Sequence, residues 1–210
     1  MRVPYPGVPM RTREPASTRT AVLDVVLDLI RAEGYHAVQV RMVAKRARIG
    51  LDTLYRLFPT RDDLIIAALS RWMAANASST ADTRPAPSLY EGLLHVYREL
   101  FQPWLEHPRI LDAYVRARLR PGGERLDAEG LAVLTPRLFG LFNDVDPTYR
   151  DDVLTIVGHV VNAAVGAAAQ GALPIDEILP LIERTVYRLT TDNRNLAENA
   201  LPVAVRNPRT

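Results

Sequence analysis

The sequence predicts an all-α protein in which a small N-terminal helical domain is joined to a larger helical body. Apolar residues recur at helical spacing along most of the chain, and residues that start or end helices bracket these segments. No stretch shows the convincing alternation of apolar and polar residues that a half-exposed strand would have. These observations together favour helices throughout.

The composition narrows the class of protein. The 210 residues are 48% hydrophobic and 24% charged, which is ordinary for a globular protein, and the absence of cysteine excludes disulfides and thiolate metal sites. The first twenty residues lack the apolar core of a signal peptide, and the apolar run 153–169 is interrupted by Thr155, Gly158, His159 and Asn162. We therefore expect a cytoplasmic protein that does not interact with a membrane.

Charge is spread unevenly. Residues 1–64 contain 11 basic and 7 acidic side chains, whereas residues 65–210 contain 15 and 17. A basic N-terminal part indicates a surface that faces nucleic acid, although this excess is modest.

The N-terminal elements follow from local signals. Residues 1–16 are rich in Pro and Arg, which predicts a flexible arm. Ser17 or Thr18 can cap a first helix that ends at Gly34, and Pro59 ends a later one. The predicted elements are a helix at 17–33, a short helix at 40–47, a turn at 48–50 and a third helix at 51–58.

The body is predicted in the same way. Thr60 and Asp63 form a capping-box pair for a fourth helix, and prolines or glycines separate the later ones. The predicted helices are 61–77, 89–106, 108–120, 124–142 with an interruption near Pro136, 147–170 and 174–191. We assign residues 17–64 to the first domain, 65–192 to the second and 193–210 to a flexible tail.

Three helices with a three-residue turn between the last two have the geometry of a helix-turn-helix. In that unit the second helix of the pair enters the major groove of DNA. The two helices can pack through apolar side chains, and Ala44 is small where they must approach closely. The apolar contacts are Val43, Ala47, Ile49, Leu54 and Leu57.

From Arg19 to Leu64 the sequence resembles the N-terminal domain of TetR-family transcriptional regulators. The matching residues are Gly34-Tyr35, Val40, Val43-Ala44, Ala47, Ile49, Thr53-Leu54-Tyr55, Phe58, Thr60-Arg61 and Leu64. The chain departs from the family at the start of the second helix, at the turn and at the start of the third helix. There Gln39 replaces a capping Ser or Thr, Arg48 the turn Gly, Gly50 a capping Ser or Thr, and Leu51-Asp52 a Lys-Gly pair.

One departure predicts a backbone conformation. Arg48 must adopt the left-handed conformation that Gly adopts freely, at a cost of about 1 kcal/mol. These differences leave the predicted fold intact and predict a base preference that departs from that of the relatives.

The resemblance implies that Arg41 contacts a phosphate or base, that Thr53 and Tyr55 bind the DNA backbone, and that Arg61 holds a phosphate. Arg48 and Arg56 have the chemistry to read guanine, and Asp52 either accepts from a cytosine amine or stabilises the start of its helix. Arg11, Arg13 and Arg19 are suited to follow phosphates or the minor groove. Alternatively, these are solvated surface cations. The candidate DNA-binding residues are Arg19, Arg41, Arg48, Leu51, Asp52, Thr53, Tyr55, Arg56 and Arg61.

For the body, the resemblance implies effector binding and dimerisation. The apolar helix at 153–169 and the last helix are suited to form a four-helix bundle with a second copy, which makes the partner a homodimer mate. An ordinary monomer core is the alternative. His159 and Asn162 are either polar anchors of a ligand pocket or satisfied groups at the dimer seam. The candidate ligand-binding residues are Trp72, Tyr97, Trp104, Tyr114, Phe139, Phe142, His159 and Asn162.

We therefore expect a homodimeric repressor that an apolar small molecule releases from a palindromic double-stranded DNA operator. The alternative is an apolar-ligand binding protein with a decayed DNA-binding motif, which Arg48 and Asp52 motivate. We expect no enzyme activity, cofactor or metal, because the four histidines lack partners at ligand spacing and no catalytic motif is present.

Overall fold

The computed structural model describes residues 15–77, 86–143 and 145–191. Within these ranges the chain forms nine α-helices, two short 3-10 turns and no strand, which confirms the predicted all-α class. The predicted arm lies almost wholly outside the described residues, as do Arg11, Arg13 and the predicted tail.

The N-terminal part packs three helices around a small apolar core. Helix α1 spans Pro15–Glu33, a 3-10 turn covers Tyr35–Ala37, α2 spans Val40–Ala47 and α3 spans Leu51–Leu57. Gly34 ends α1 with φ of 88°, a conformation that favours glycine. Side chains at helical spacing are completely buried or nearly so in this core: Val22, Val26, Leu29, Ile30, Val38, Val43 and Leu54.

The turn between α2 and α3 has the predicted conformation. Arg48 lies in the left-handed region with φ of 56°, the one positive φ at a non-glycine residue in the described chain. The N–H of Ile49 donates to the carbonyl of Ala44 at 3.0 Å, a bond that commonly closes a helix ending in this conformation. Arg48 thus adopts the conformation of the glycine that the family has at this position, and the turn between the two helices stays short.

Helix α4, Arg61–Asn76, links the first domain to the body. Its predicted capping box is confirmed: the backbone N–H of Asp63 donates to the Thr60 hydroxyl at 3.0 Å, and the Asp63 carboxylate accepts from the N–H of Thr60 at 3.2 Å. The helix packs against α1, α6 and α7, and Leu64, Ile65, Ile66, Ala68, Leu69 and Trp72 are buried. A predicted domain boundary at residue 64 therefore lies within a continuous helix.

In the part of the chain that the structure describes, the body comprises five α-helices. They are α5 (Leu89–Glu106), α6 (Pro108–Arg118), α7 (Glu124–Gly140), α8 (Pro147–Ala169) and α9 (Ile178–Thr190), the last preceded by a 3-10 turn at Ile175–Glu177. Between α6 and α7 only glycine fits at Gly123, since a Cβ there would lie 2.3 Å from the carbonyl oxygen of Ala117. Helix α6 ends at Arg118, two residues earlier than predicted.

The predicted interruption of α7 at Pro136 is wrong. The helix runs unbroken through this residue to Gly140. A proline removes one N–H donor and leaves the carbonyl four residues earlier without its bond. Both Pro136 and Ala132 lie on the exposed side of α7, where water can solvate that carbonyl.

Helix α8 is strongly apolar, yet much of its surface is exposed to solvent. By length and composition it is the one described helix that could cross a membrane, with a mean hydropathy of 1.5 over its most apolar window, and only 22% of that window is buried within the chain. One face of α8, with Val153, Val157, Ala164 and Val165, is buried against the body. The opposite face, including Ile156, His159 and Ala163, is exposed.

Candidate nucleic-acid interface and ligand cavity

Helix α3 presents a mixed face to solvent. Leu54 is buried, so the helix turns Leu51, Asp52, Tyr55 and Arg56 outward, and the Tyr55 and Leu51 side chains are 50% and 38% exposed. An exposed tyrosine beside an arginine suits contact with a sugar–phosphate backbone. Asp52 lies in the first turn of α3, where a negative charge is favoured by the helix dipole.

Four cations on and beside α2 and α3 have no partner within the described part of the chain: Arg41, Lys45, Arg48 and Arg56. All four are exposed. Lys45 was not among the sequence candidates, although its position four residues after Arg41 places both on one face of α2. By contrast, Arg46 pairs with Glu33 at 3.2 Å. Thr53 is half-buried on α3.

Arg19 binds the protein itself. Its Nη1 donates to the carbonyl oxygen of Leu57 at 3.1 Å, and its guanidinium lies 4.3 Å from the centre of the Phe58 ring. The side chain thus connects α1 to the C-terminal end of α3. Its predicted contact with DNA is not tested by this geometry and stays a prediction.

Arg61 is also engaged within the fold. Its Nε donates to the carbonyl oxygen of Val38 and its Nη2 to that of Tyr35, both at 2.7 Å. The guanidinium lies 4.5 Å from the centre of the Tyr35 ring, and Nη1 is 3.8 Å from Asp62. These contacts fix the start of α4 to the segment between α1 and α2. The phosphate contact predicted for Arg61 remains a prediction.

A cavity of about 280 Å³ lies within the body between α4, α5, α6, α7 and α8. Of the predicted ligand-binding residues, four line it: Tyr97, Trp104, Tyr114 and Asn162. Most of the remaining lining is apolar and comprises Met73, Leu100, Phe101, Leu111, Gly130, Leu131, Leu134, Gly158, Val161 and Val165. A largely apolar lining with a few polar groups is typical of small-molecule sites.

The other four candidates lie outside this lining. Trp72 is buried behind it, packed edge-on against Trp104 with ring centres 4.5 Å apart. Phe142 is buried, whereas Phe139 is 44% exposed beneath the guanidinium of Arg150. His159 lies on the outward face of α8, and its Nδ1 contacts the carbonyl oxygen of Thr155 at 2.7 Å.

Polar side chains meet at one corner of the cavity. Arg118 Nη2 lies 3.0 Å from the Asp127 carboxylate, and Arg118 Nη1 donates to Asn162 Oδ1 at 3.1 Å. The Tyr114 hydroxyl donates to Asp127 at 2.7 Å, and burial followed by this bond raises its pKa. Arg118 and Asp127 were missed from the sequence; the position of Arg118 four residues after Tyr114 was the available signal.

The cavity is connected to the N-terminal domain by two routes. Aromatic rings run from Tyr114 through Trp104 to Trp72 on α4, with successive ring centres 5.0 and 4.5 Å apart. In addition, the Nη1 of Arg109 on α6 donates to the carbonyl oxygens of Arg31 and Ala32 at the end of α1. Two helices that line the cavity, α5 and α6, are therefore connected to α4 and to α1 respectively.

His95 has a carboxylate partner that the sequence argument did not expect. Its Nε2 lies 3.3 Å from Glu99 one helical turn later, and Glu99 also binds Arg137. Across the described residues, no three His, Cys, Asp or Glu side chains are grouped to hold a metal ion.

Two family descriptions match successive, separate regions of the chain. The family described as "Bacterial regulatory proteins, tetR family" matches residues 22–68, and the one described as "Tetracyclin repressor-like, C-terminal domain" matches residues 87–189. The first match ends at residue 68 within α4, and the second begins at residue 87, shortly before α5.

Curated relatives include proteins named "HTH-type transcriptional repressor KstR". The one from Rhodococcus jostii strain RHA1 is 30% identical over 132 residues, covering 62% of each chain. The one from Mycolicibacterium smegmatis is 32% identical over 100 residues, covering 47% of this chain and 49% of that protein. The matched region thus spans from about half to less than two thirds of these relatives.

Solved structures share the fold at low sequence identity. A TetR transcriptional regulator from Rhodococcus sp. RHA1 has a TM-score of 0.66 and 17% identity, and the match covers 87% of this chain and 100% of that one. FadR from Bacillus subtilis, solved in complex with stearoyl-CoA, has a TM-score of 0.60 and 16% identity, with 82% and 97% covered.

Proposed function

Because the chain belongs to the TetR family of transcriptional regulators, we propose that it is a repressor that binds a two-half-site DNA operator as a homodimer. In this proposal an apolar small molecule enters the cavity of the body and releases the protein from DNA. The relatives named as repressors and the neighbour solved with stearoyl-CoA support the direction of regulation and the presence of an effector.

The observation that carries DNA binding is a set of four cations on and beside α2 and α3 that have no partner among the described residues. In the described chain Arg41, Lys45, Arg48 and Arg56 have no protein partner, so their charges remain available for phosphates. Neutralising phosphates releases counterions and makes affinity depend strongly on salt. Leu51 and Asp52 at the start of α3 occupy the part of a recognition helix that meets base edges, and we assign target preference to them.

The exposed face of α8 supports the homodimer, because this helix is apolar in composition and only 22% of its most apolar window is buried. Large contiguous apolar surfaces are uncommon on monomers and mark interfaces. A second copy that packs α8 and α9 against the same helices would cover Ile156 and the small residues beside it in a four-helix arrangement. His159 lies on this face, which favours the dimer-seam interpretation over the pocket interpretation.

Release by the effector requires a mechanical connection to the DNA-binding helices. Helix α6 lines the cavity through Leu111 and Tyr114 and holds the end of α1 through Arg109. A ligand that moves α6 would shift α1 and α4 together and change the spacing of the two recognition helices. Half-sites lie about 34–36 Å apart, so a small rotation is enough to lose one of them.

The test is binding of the full chain to the promoter DNA upstream of its own gene at physiological salt. We expect binding at least 100-fold tighter than to a scrambled duplex of the same composition. The alternative, an apolar-ligand binding protein with a decayed motif, predicts weak binding that does not distinguish the two duplexes.

A further inference from the structure

The Tyr97 hydroxyl is buried in the cavity wall without a hydrogen-bond partner from the described residues. The side chain is 2% exposed and lines the cavity from α5. Burial alone raises its pKa to about 12, with no hydrogen-bond contribution. Buried polar groups in proteins are nearly always paired, so a lone hydroxyl that lines a cavity indicates a missing acceptor.

The polar corner of the cavity is electrically balanced. Among the described residues that line the cavity the single cation is Arg118, which is already bonded to Asp127 and to Asn162. Asp127 accepts a further bond from Tyr114. A ligand carboxylate would therefore meet an arginine whose charge is neutralised and an aspartate that repels it. This arrangement disfavours an anionic group within the cavity.

We propose that the effector is an uncharged, mainly apolar molecule with one carbonyl or hydroxyl oxygen, and that this oxygen accepts a hydrogen bond from the Tyr97 hydroxyl. The proposal rests on the proposed effector role of the cavity. It deepens that role by assigning the charge state and the polar group of the ligand and by making Tyr97 the residue that determines specificity.

The site favours a ligand with one uncharged oxygen because that oxygen pairs with the Tyr97 hydroxyl, which a purely apolar ligand leaves unpaired. An apolar molecule of the same shape would leave the Tyr97 donor unpaired, whereas a ketone or alcohol satisfies it. The rest of the molecule would bury against Phe101, Trp104 and the leucines of the lining. The volume of about 280 Å³ is at the small end for ligand pockets, which indicates a compact ligand portion inside the body.

Three probes on one frame test the proposal: 2-acetylnaphthalene, its near-isostere 2-isopropylnaphthalene, and 2-naphthoate. Calorimetric titration of the full chain, without DNA, measures the affinity for each. We expect the ketone to bind at least tenfold tighter than either of the others. Naphthoate as the tightest ligand, equal affinities for ketone and hydrocarbon, or no binding of any probe would each overturn the proposal.

Two variants make the assignment specific. Tyr97→Phe should reduce the preference for ketone over hydrocarbon from at least tenfold to less than threefold, because only the donor is lost. Asp127→Asn should raise the affinity for 2-naphthoate several-fold, since it frees the charge of Arg118. A hydroxyl that is satisfied by trapped water alone would give the same ketone preference in wild type and Tyr97→Phe, which contradicts the proposal.

An experiment that disproves the uncharged effector can be distinguished from one that disproves DNA-binding regulation. Sequence-specific binding to promoter DNA depends on α2 and α3 and is measured without any probe. If the protein binds its promoter but prefers 2-naphthoate, the proposal that it is a regulator stands and the proposal of an uncharged ligand is wrong.

Discussion

Arg61 donates from Nε to the backbone carbonyl of Val38 at 2.7 Å and so holds the beginning of α4 against the segment before α2. A second bond to the carbonyl of Tyr35 uses another arm of the same guanidinium. The residue that family resemblance marks as a phosphate ligand therefore has a structural role in the protein. Its role on DNA has to be separated from this one by experiment.

Arg61→Ala should lower the free energy of unfolding by about 1–3 kcal/mol, because two carbonyls of a packed corner lose their donors. Arg61→Lys should not restore it, since an ammonium cannot reproduce the planar fork. Urea unfolding measures both changes. Wild-type stability in Arg61→Ala would contradict the structural role. A salt slope of DNA binding reduced by about 0.9 would show that the side chain also contacts a phosphate.

Lys45→Ala should weaken binding to all DNA sequences and lower the slope of log affinity against log salt by about 0.9, as expected for one phosphate contact. Arg120→Ala is the matched control, because Arg120 is also exposed but lies in the turn after α6. Fluorescence anisotropy with promoter and scrambled duplexes across a salt series measures both. Identical slopes for the two variants would remove Lys45 from the interface.

Arg48→Gly should raise the free energy of unfolding relative to Arg48→Ala by about 1 kcal/mol. Both variants lose the same charge, but only glycine adopts the left-handed conformation at no steric cost. Both should lose DNA affinity to a similar extent, because the cation is absent from each. Equal stability of the two variants in urea would show that Arg48 is not strained.

Ile156→Glu on α8 should dissociate the proposed dimer and weaken operator binding, because a charge would face the apolar interface. Leu119→Glu is the control, since Leu119 is 80% exposed and lies in the turn after α6 rather than on α8. Sedimentation velocity at micromolar concentration measures the oligomeric state. A monomeric wild type, or an unaffected Ile156→Glu dimer, would reject this interface.

Tyr97 makes stability depend on alkaline pH. Its pKa is about 12 in the folded protein and about 10 when unfolded, so folding favours the neutral hydroxyl. The contribution is fully present below pH 10 and is lost as the pH rises toward 12. Between pH 10 and 12 the free energy of unfolding should therefore fall by about 2–3 kcal/mol less in Tyr97→Phe than in the wild type. Parallel stability curves for the two proteins would refute the shift.

Local features were well predicted from the sequence, and long-range ones were not. The left-handed Arg48 and the Thr60–Asp63 capping box depend on residues close in the chain, so spacing and residue type were enough. The Arg118–Asp127–Asn162 corner joins three helices, and nothing in local spacing specifies which of their faces meet. Likewise, no sequence signal shows that Arg19 and Arg61 bind backbone carbonyls, since an arginine on a helix usually points to solvent.

The chain has only two tryptophans, and both belong to the aromatic contact between the cavity wall and α4. The protein therefore contains its own optical reporter at the place where effector binding would be transmitted. Any molecule that enters beside Trp104 changes the environment of that indole, and any movement of α4 changes its 4.5 Å contact with Trp72. Intrinsic emission can thus be used to screen candidate effectors on unlabelled protein.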